Sequence, residues 1–255
     1  MKIPDSQPQL RLVPVETPGQ LAHRYEREKR ATGVQREDAL ENSLAPYRVG
    51  TVPYLNGAPL VRGLEDQVRI HPPSRLAELL RQKELDAALL SITEPLFNPD
   101  YDILDGVAIA SLGEVKSVLL AHRCPLAKLT RVYCDPASLT SVYLLKVLLA
   151  ELGIRPEYLP LENYEQAARV EAVLLIGDPA LHFLFGPHDH EIWDLGAAWL
   201  ERTNLPFVYA VWALRREVDT TRLRSVLREA KHFGLETLEY IIGSREEYTY
   251  EFRKD

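Results

Sequence analysis

The residues best equipped for chemistry are hydroxyls. Ser138, Thr140 and Ser141 crowd the start of a helical pattern whose apolar positions are Val142, Leu145, Leu148, Leu149 and Leu152. One hydroxyl there satisfies a free backbone N–H as a cap. Three of them, with the remaining free N–H groups at the positive end of a helix, also make a site for a carboxylate or a phosphate without a lysine. Two more polar loops come after strand-like runs. Asn56 stands at the tip of Thr51-Val52-Pro53-Tyr54-Leu55-Asn56-Gly57, and Ser91, Thr93 and Glu94 come after Asp86-Ala87-Ala88-Leu89-Leu90. A third apolar run, Ala172 to Ile176, delivers Gly177-Asp178-Pro179 to its carboxyl end. Asp178 reads there as a carboxylate bonding the N–H groups of its own turn.

Loops of this kind need a sheet to hold them. From Tyr47 the chain alternates short apolar strands with helical patterns, which is the signature of an α/β fold with ligand loops at the carboxyl ends of the strands. Pro53, Gly57 and Pro59 predict a loop that does not enter a helix at once, and Pro95 predicts an extended or turn geometry for Glu94. Ser74 is the expected cap of a helix with Leu76, Leu79 and Leu80 on one face. The polar interruption Gly113 to Ser117, between Val107–Ser111 and Val118–Ala121, reads as a crossing between two lobes. The apolar run Leu205 to Leu214 reads as the return, with helical sequence from Thr220 onward. Gly153 is the expected stop of the helix after Ser141.

Bulk properties limit the partners. The 255 residues carry 37 acidic and 30 basic side chains, a formal charge of −7, and the isoelectric point is near 5.6. That balance argues against a chain that tracks nucleic acid or an anionic membrane. Two cysteines, Cys124 and Cys134, make no disulfide framework and no zinc site. The turn Pro187-His188-Asp189-His190 lacks the spacing of a metal site and reads as a solvated loop. No apolar run has the length of a membrane span, and no signal segment is evident, so a cytoplasmic location is expected. Residues 1–46, with four prolines in the first 18 and the charged run Arg24 to Arg30, read as a loosely attached extension. The expected partition is then 1–46, a first lobe over 47–116, a second over 117–207, and a return to the first over 208–255.

Taken together, several stretches resemble the chorismate dehydratase family of the futalosine route to menaquinone. They are Val49 to Asn56 with Pro59-Leu60, Asp86 to Leu96, Glu114-Val115-Lys116-Ser117, Ser138 to Val142, Val173 to Leu181, and Asp194-Leu195-Gly196 through Leu205 to Trp212. The extension before Tyr47 lies outside the family pattern, and further helical sequence after Ile241-Ile242-Gly243 is what the pattern leads one to expect. The resemblance implies a two-lobed fold like that of type 2 periplasmic binding proteins, with a cleft between the lobes. It implies an elimination of water from chorismate that needs no cofactor and no metal, with Asn56 and Ser117 serving the chemistry. Tyr54, Ser91, Thr93, Ser138, Thr140, Ser141, Gly177 and Asp178 would then contact substrate.

Neither Asn56 nor Ser117 is a base at neutral pH, so the enolpyruvyl carboxylate of the substrate is the expected proton acceptor, with Glu94 and Glu114 as rivals. Lys116 could add a charge, although strand alternation would send it and Ser117 to opposite faces. A monomer and a homodimer both remain open. The naphthoate synthase of the same route opens with a Ser-Pro-Cys-Pro-Asn-Asp type segment where this chain has Val52-Pro53-Tyr54-Leu55-Asn56. A solute-binding protein for a small carboxylate is the alternative of a different class.

Overall fold

A computed structural model describes residue 33, residues 35–136 and residues 139–244. The chain divides into two units, Met1–Ala39 and Leu40–Asp255. In the first, Gly33 and residues 35–39 are helical. Every strand among the described residues belongs to the second.

In chain order these strands are β1 Val49–Thr51, β2 Val68–Ile70, β3 Ala87–Ser91, β4 Tyr101–Ser111, β5 Val118–His122, β6 Arg131–Cys134, β7 Glu157–Pro160, β8 Ala172–Ile176, β9 Glu191–Asp194 and β10 Phe207–Arg215. The helices of this unit are α1 Pro73–Arg81, α2 Thr93–Phe97, α3 Leu139–Glu151, α4 Gly177–Phe185, α5 Leu195–Thr203, α6 Thr221–Glu236 and α7 Leu238–Gly243. The strands form two five-stranded sheets, ordered β2-β1-β3-β10-β4 and β7-β6-β8-β5-β9. In the first, β1 runs parallel to β2 and β3, and β10 runs antiparallel to β3 and β4. In the second, β6 runs parallel to β7 and β8, and β5 runs antiparallel to β8 and β9. Each sheet therefore contains one strand that has just crossed from the other: β5 arrives from β4, and β10 from α5.

Hydrophobic patterning explains the sheets. Ala87 to Leu90, Leu119 to Ala121 and Ala172 to Leu175 are continuous apolar runs at 0–1% exposure, as expected for strands covered on both faces. One core gathers around Leu89, Trp212 and Phe233, a second around Leu120, Leu145 and Leu174, and a third around Leu119, Leu161 and Ala180. At the end of the first sheet away from the polar loops, Asp86 accepts hydrogen bonds from Arg48 N (2.9 Å), Nε (3.1 Å) and Nη2 (2.7 Å), and from Arg215 Nη1 (3.3 Å). It thereby joins the start of β3 to the segment before β1 and to the end of β10. Burial works to raise the Asp86 pKa, but the bonds and charges of Arg48, with the charge of Arg215, outweigh it and hold the carboxyl below the usual range.

Several local expectations are corrected. α1 has no side-chain cap and begins at Pro73 after Pro72, because a proline in the first turn gives up only an N–H that had no partner anyway. The same reason admits Pro95 in the first turn of α2, so Glu94 is helical rather than extended. Pro59 lies inside a 3-10 segment, Leu55–Val61. Leu40 and Leu44, an i, i+4 apolar pair inside the expected extension, are 3% and 1% exposed, and Gln67 bonds the backbone of both. The histidine turn is not uniformly solvated: His190 is buried with Nε2 2.9 Å from the Val170 carbonyl oxygen, and His188 stacks on Phe183 with ring centroids 4.8 Å apart. Gly153 stops α3 as expected, at φ +75°, with its N–H on the Ala150 carbonyl (3.0 Å).

Candidate active site

The carboxyl ends of β1, β3, β6 and β8 bring their succeeding segments to one cavity of about 380 Å³ between the sheets. From the first sheet come Val52, Tyr54 and Asn56 after β1, Leu90 and Ser91 at the end of β3, and Tyr209 and Ala210 of β10. From the second come Leu139, Thr140 and Ser141 in the first turn of α3, and Ile176 and Gly177 at the β8–α4 junction. The crossing between β4 and β5 adds Ser111, Leu112, Glu114, Val115, Ser117 and Val118. Among the described residues on this wall there is no Lys, Arg or His.

Of the expected site residues, Tyr54, Asn56, Ser91, Ser117, Thr140, Ser141 and Gly177 are thus together, and Ser138 lies outside the described residues. Thr93 and Asp178 are elsewhere. Thr93 is 7% exposed at the start of α2 and backs Ser91 from behind. Asp178 comes after the Gly177 turn and lines a separate hollow with Tyr164 and His182. Glu94 is off the cavity wall and pairs with Arg81 at 3.6 Å. Glu114 is at the wall but exposed. Lys116 is not on the wall, and it does not alternate with Ser117 on a strand, because both lie in a turn ahead of β5.

The hydroxyls form a directed chain across the cleft. Thr140 Oγ1 donates its one proton to the Tyr209 carbonyl (3.1 Å). Ser91 must therefore be the donor in its bond to Thr140, and Thr93 the donor in its 2.6 Å bond to Ser91. That order leaves Ser91 and Thr140 no proton to offer a ligand; they present lone pairs. Ser111 and Tyr209 are joined the same way, Oγ to phenol oxygen at 3.1 Å. The Asn56 amide and the Ser117 hydroxyl make no such bond among the described residues, so their donors remain available to a ligand.

Both phenols on the wall stay protonated at neutral pH. Burial, then the charges of Asp135 and Asp178, pushes Tyr54 up to about 12. Burial pushes Tyr209 up to about 12 as well, against the Ser111 bond and with the charge of Asp194. Gly177 sits at φ +59°, and a Cβ there would lie 3.3 Å from the Tyr54 ring, so only glycine suits both the backbone and the ring packed on it. Behind the helix starts, Asp135 is 1% exposed and accepts from the Tyr164 hydroxyl at 3.0 Å.

Sequence reasoning missed Ser111 and Tyr209, which look like ordinary strand residues until β4 and β10 are paired. It also gave Asp194 no role. Among the described residues, no group of three or more His, Cys, Asp or Glu is placed to hold a metal ion, and no helix is long and apolar enough to cross a membrane.

Comparison with known proteins gives four findings. A family model described as menaquinone biosynthesis matches residues 47–253. A chorismate dehydratase of Thermus thermophilus is 38% identical over 213 residues, covering 75% of this chain and 79% of that protein. Among solved structures, protein AF1704 of Archaeoglobus fulgidus superimposes with a TM-score of 0.61 at 20% identity, covering 82% of this chain and 85% of that one. The periplasmic aliphatic sulphonate binding protein of Escherichia coli gives 0.56 at 17% identity, covering 82% and 76%. The two structures establish the fold, a two-lobed binding-protein architecture.

Proposed function

The chain belongs to the menaquinone biosynthesis family, and from that premise we propose that it is a chorismate dehydratase, a carbon–oxygen lyase acting on chorismate. The ring gives up its C3 proton and C4 hydroxyl as water, and aromatisation to 3-(1-carboxyvinyloxy)benzoate drives the step. The protein has to hold a dianion, keep a proton acceptor in range and stabilise the departing oxygen.

The observation that carries the reading is a cleft whose described wall is free of cations yet rich in donors, with two side chains left uncommitted, Asn56 and Ser117. The start of α3 and the β8–α4 junction face the cavity and favour an anion there. A lysine against the enolpyruvyl carboxylate would lower its pKa and blunt it as a base. Neutral donors orient it and leave it basic, which suits the substrate's own carboxylate as the proton acceptor. Ser117 then donates to the leaving hydroxyl, and the Asn56 amide fixes the ring or meets developing oxyanion charge. Tyr54, Ser141 and Gly177 form the cradle for the carboxylates, and Ser91 and Thr140 turn their lone pairs to the substrate's hydroxyl. On this reading residues 47–116 and 208–255 make one jaw and residues 117–207 the other.

The test is purified protein with chorismate and no added cofactor, monitored by proton NMR. Appearance of the aromatic ether supports the reading. Chorismate bound but unchanged makes the chain a binding protein, and chorismate neither bound nor changed excludes both.

A further inference from the structure

The segment that presents Ser117 is held in an unusual shape. Lys116 adopts φ +56°, a left-handed geometry that is unfavourable for a residue with a Cβ, and Ser117 N bonds back to the Val115 carbonyl at 2.6 Å. Its other neighbour is α4, whose first N–H, from Gly177, donates to the Ser117 carbonyl at 2.8 Å. A turn of this kind persists only where the surroundings over-determine it.

On its other side the turn is held by a carboxylate. Asp194 Oδ2 accepts from Lys116 N at 2.7 Å and from Val115 N at 3.0 Å, while Oδ1 lies 3.1 Å from Val115 N and accepts from Ala197 N at 2.9 Å. The last bond is an ordinary N-cap of α5. The others have nothing to do with α5; they tie the crossing loop to it. Two residues further on, Gly196 lets the loop come close: a Cβ there would lie 2.4 Å from the Gly113 carbonyl oxygen and 2.7 Å from Ser111 Oγ. Neither Asp194 nor Gly196 lines the cavity.

We infer that Asp194 is the positioning residue of this enzyme, holding the Val115–Lys116–Ser117 turn so that the Ser117 hydroxyl points at the leaving group. The inference rests on the functional reading above for what Ser117 does, and on geometry alone for what Asp194 holds. One carboxylate thus serves two purposes, and they can be separated. Asn and Ser cap helices about as well as Asp, so Asp194→Asn and Asp194→Ser keep α5. Asn has a single acceptor oxygen: with Oδ1 kept on Ala197, an amide NH₂ faces the Lys116 N–H. Ser does not reach the loop.

The expected result is that both variants melt close to the parent, that kcat for chorismate falls about 100-fold, the size of effect a misplacement of about 1 Å produces, and that KM changes little. Adding Asp194→Asn to Ser117→Ala should lower kcat no further than Ser117→Ala alone, since the two act as one unit. A kcat within twofold of the parent, or additive losses in the double variant, overturns the inference. Amide hydrogen exchange at Val115 and Lys116 gives an answer independent of substrate: it should accelerate in Asp194→Asn while the first turn of α5 stays protected, and unchanged exchange in the loop overturns the inference too. Should the parent protein fail to dehydrate chorismate, the functional reading falls, and exchange alone decides what Asp194 holds.

Discussion

The two lobes have the same strand order and the same pattern of directions, position for position: β1 corresponds to β6, β3 to β8, and β10 to β5. They differ in the segments that the strands lead into. After β6 and β8 the second lobe launches helices of 13 and 9 residues directly at the cleft. After β1 and β3 the first lobe offers a 3-10 segment and a helix of 5 residues. Long helices bring aligned backbone dipoles; short irregular turns bring side chains. On the proposed reading a common scaffold has become an anion-holding jaw and a jaw that presents Tyr54, Asn56 and Ser91, and the proline-laden sequence 53–59 is what keeps the first jaw irregular.

That division predicts separable kinetic effects. Asn56→Ala should lower kcat by about 10²- to 10³-fold, the usual cost of removing one preorganised donor, with KM within a few fold. Ser117→Ala should behave alike. A pure KM effect in Asn56→Ala would erase the distinction between the jaws, and one in Ser117→Ala would leave the crossing loop with binding alone. Next in size is an effect on the first lobe alone. Asp86→Ala removes the carboxylate shared by Arg48 and Arg215. Breaking such a partly buried pair, in which the Arg48 side chain is 44% exposed, should cost about 2–3 kcal/mol in urea unfolding, while leaving kcat intact.

The fold was largely legible in the sequence because its signal is repetitive. Ala172–Ile176 and the run containing Phe207–Arg215 are apolar beyond any other reading, and Gly153 ends its helix where a glycine should. The site was legible in parts. Hydroxyls after a strand announce themselves, so Ser91, Thr140 and Ser141 were found. Thr93 was drawn in with them because nothing in a sequence says that Ser91 stands between it and the cavity. Tyr209 and Ser111 escaped notice because their meeting depends on the pairing of β10 with β4, a relation between residues 98 apart in the chain. Asp194 is far from Ser117 in the chain, and its purpose exists only once the loop between β4 and β5 has folded against α5. Pro95 misled, since a proline signals a break and the first turn of a helix equally well.

A smaller effect addresses the contact between the jaws. Among the described residues, Thr140 is the link in the hydroxyl chain that reaches from the second lobe to the first, through the Tyr209 carbonyl and Ser91. Thr140→Val keeps the shape and removes the hydroxyl, losing a bond worth about 1 kcal/mol. Chorismate binding by calorimetry should weaken several-fold, and kcat should fall less steeply than in Asn56→Ala. Equal losses in binding and kcat would place Thr140 with the chemistry instead and move the boundary between the jaws.

The gentlest probe is pH, which acts on the two lobes through different groups. In the second lobe burial lowers the His190 pKa, against the Val170 carbonyl bond and with the charges of Arg123 and His188, while Asp189 works to raise it. A histidine depressed in the folded state takes up its proton more readily when unfolded. Its contribution to stability is complete above the unfolded value of about 6.5 and declines as pH falls through that value toward the folded one. In the first lobe Asp86 is likewise depressed, so its contribution is complete above the unfolded value of about 3.9 and declines only as pH falls below it. Between about pH 6.5 and 4 the second lobe should therefore weaken while the first holds. Hydrogen exchange across that range should speed up in β8 and β9 before β1 and β3, and His190→Gln should flatten the difference. Simultaneous loosening of both sheets in the parent protein would show that the jaws, alike in strand order, also share one cooperative unit.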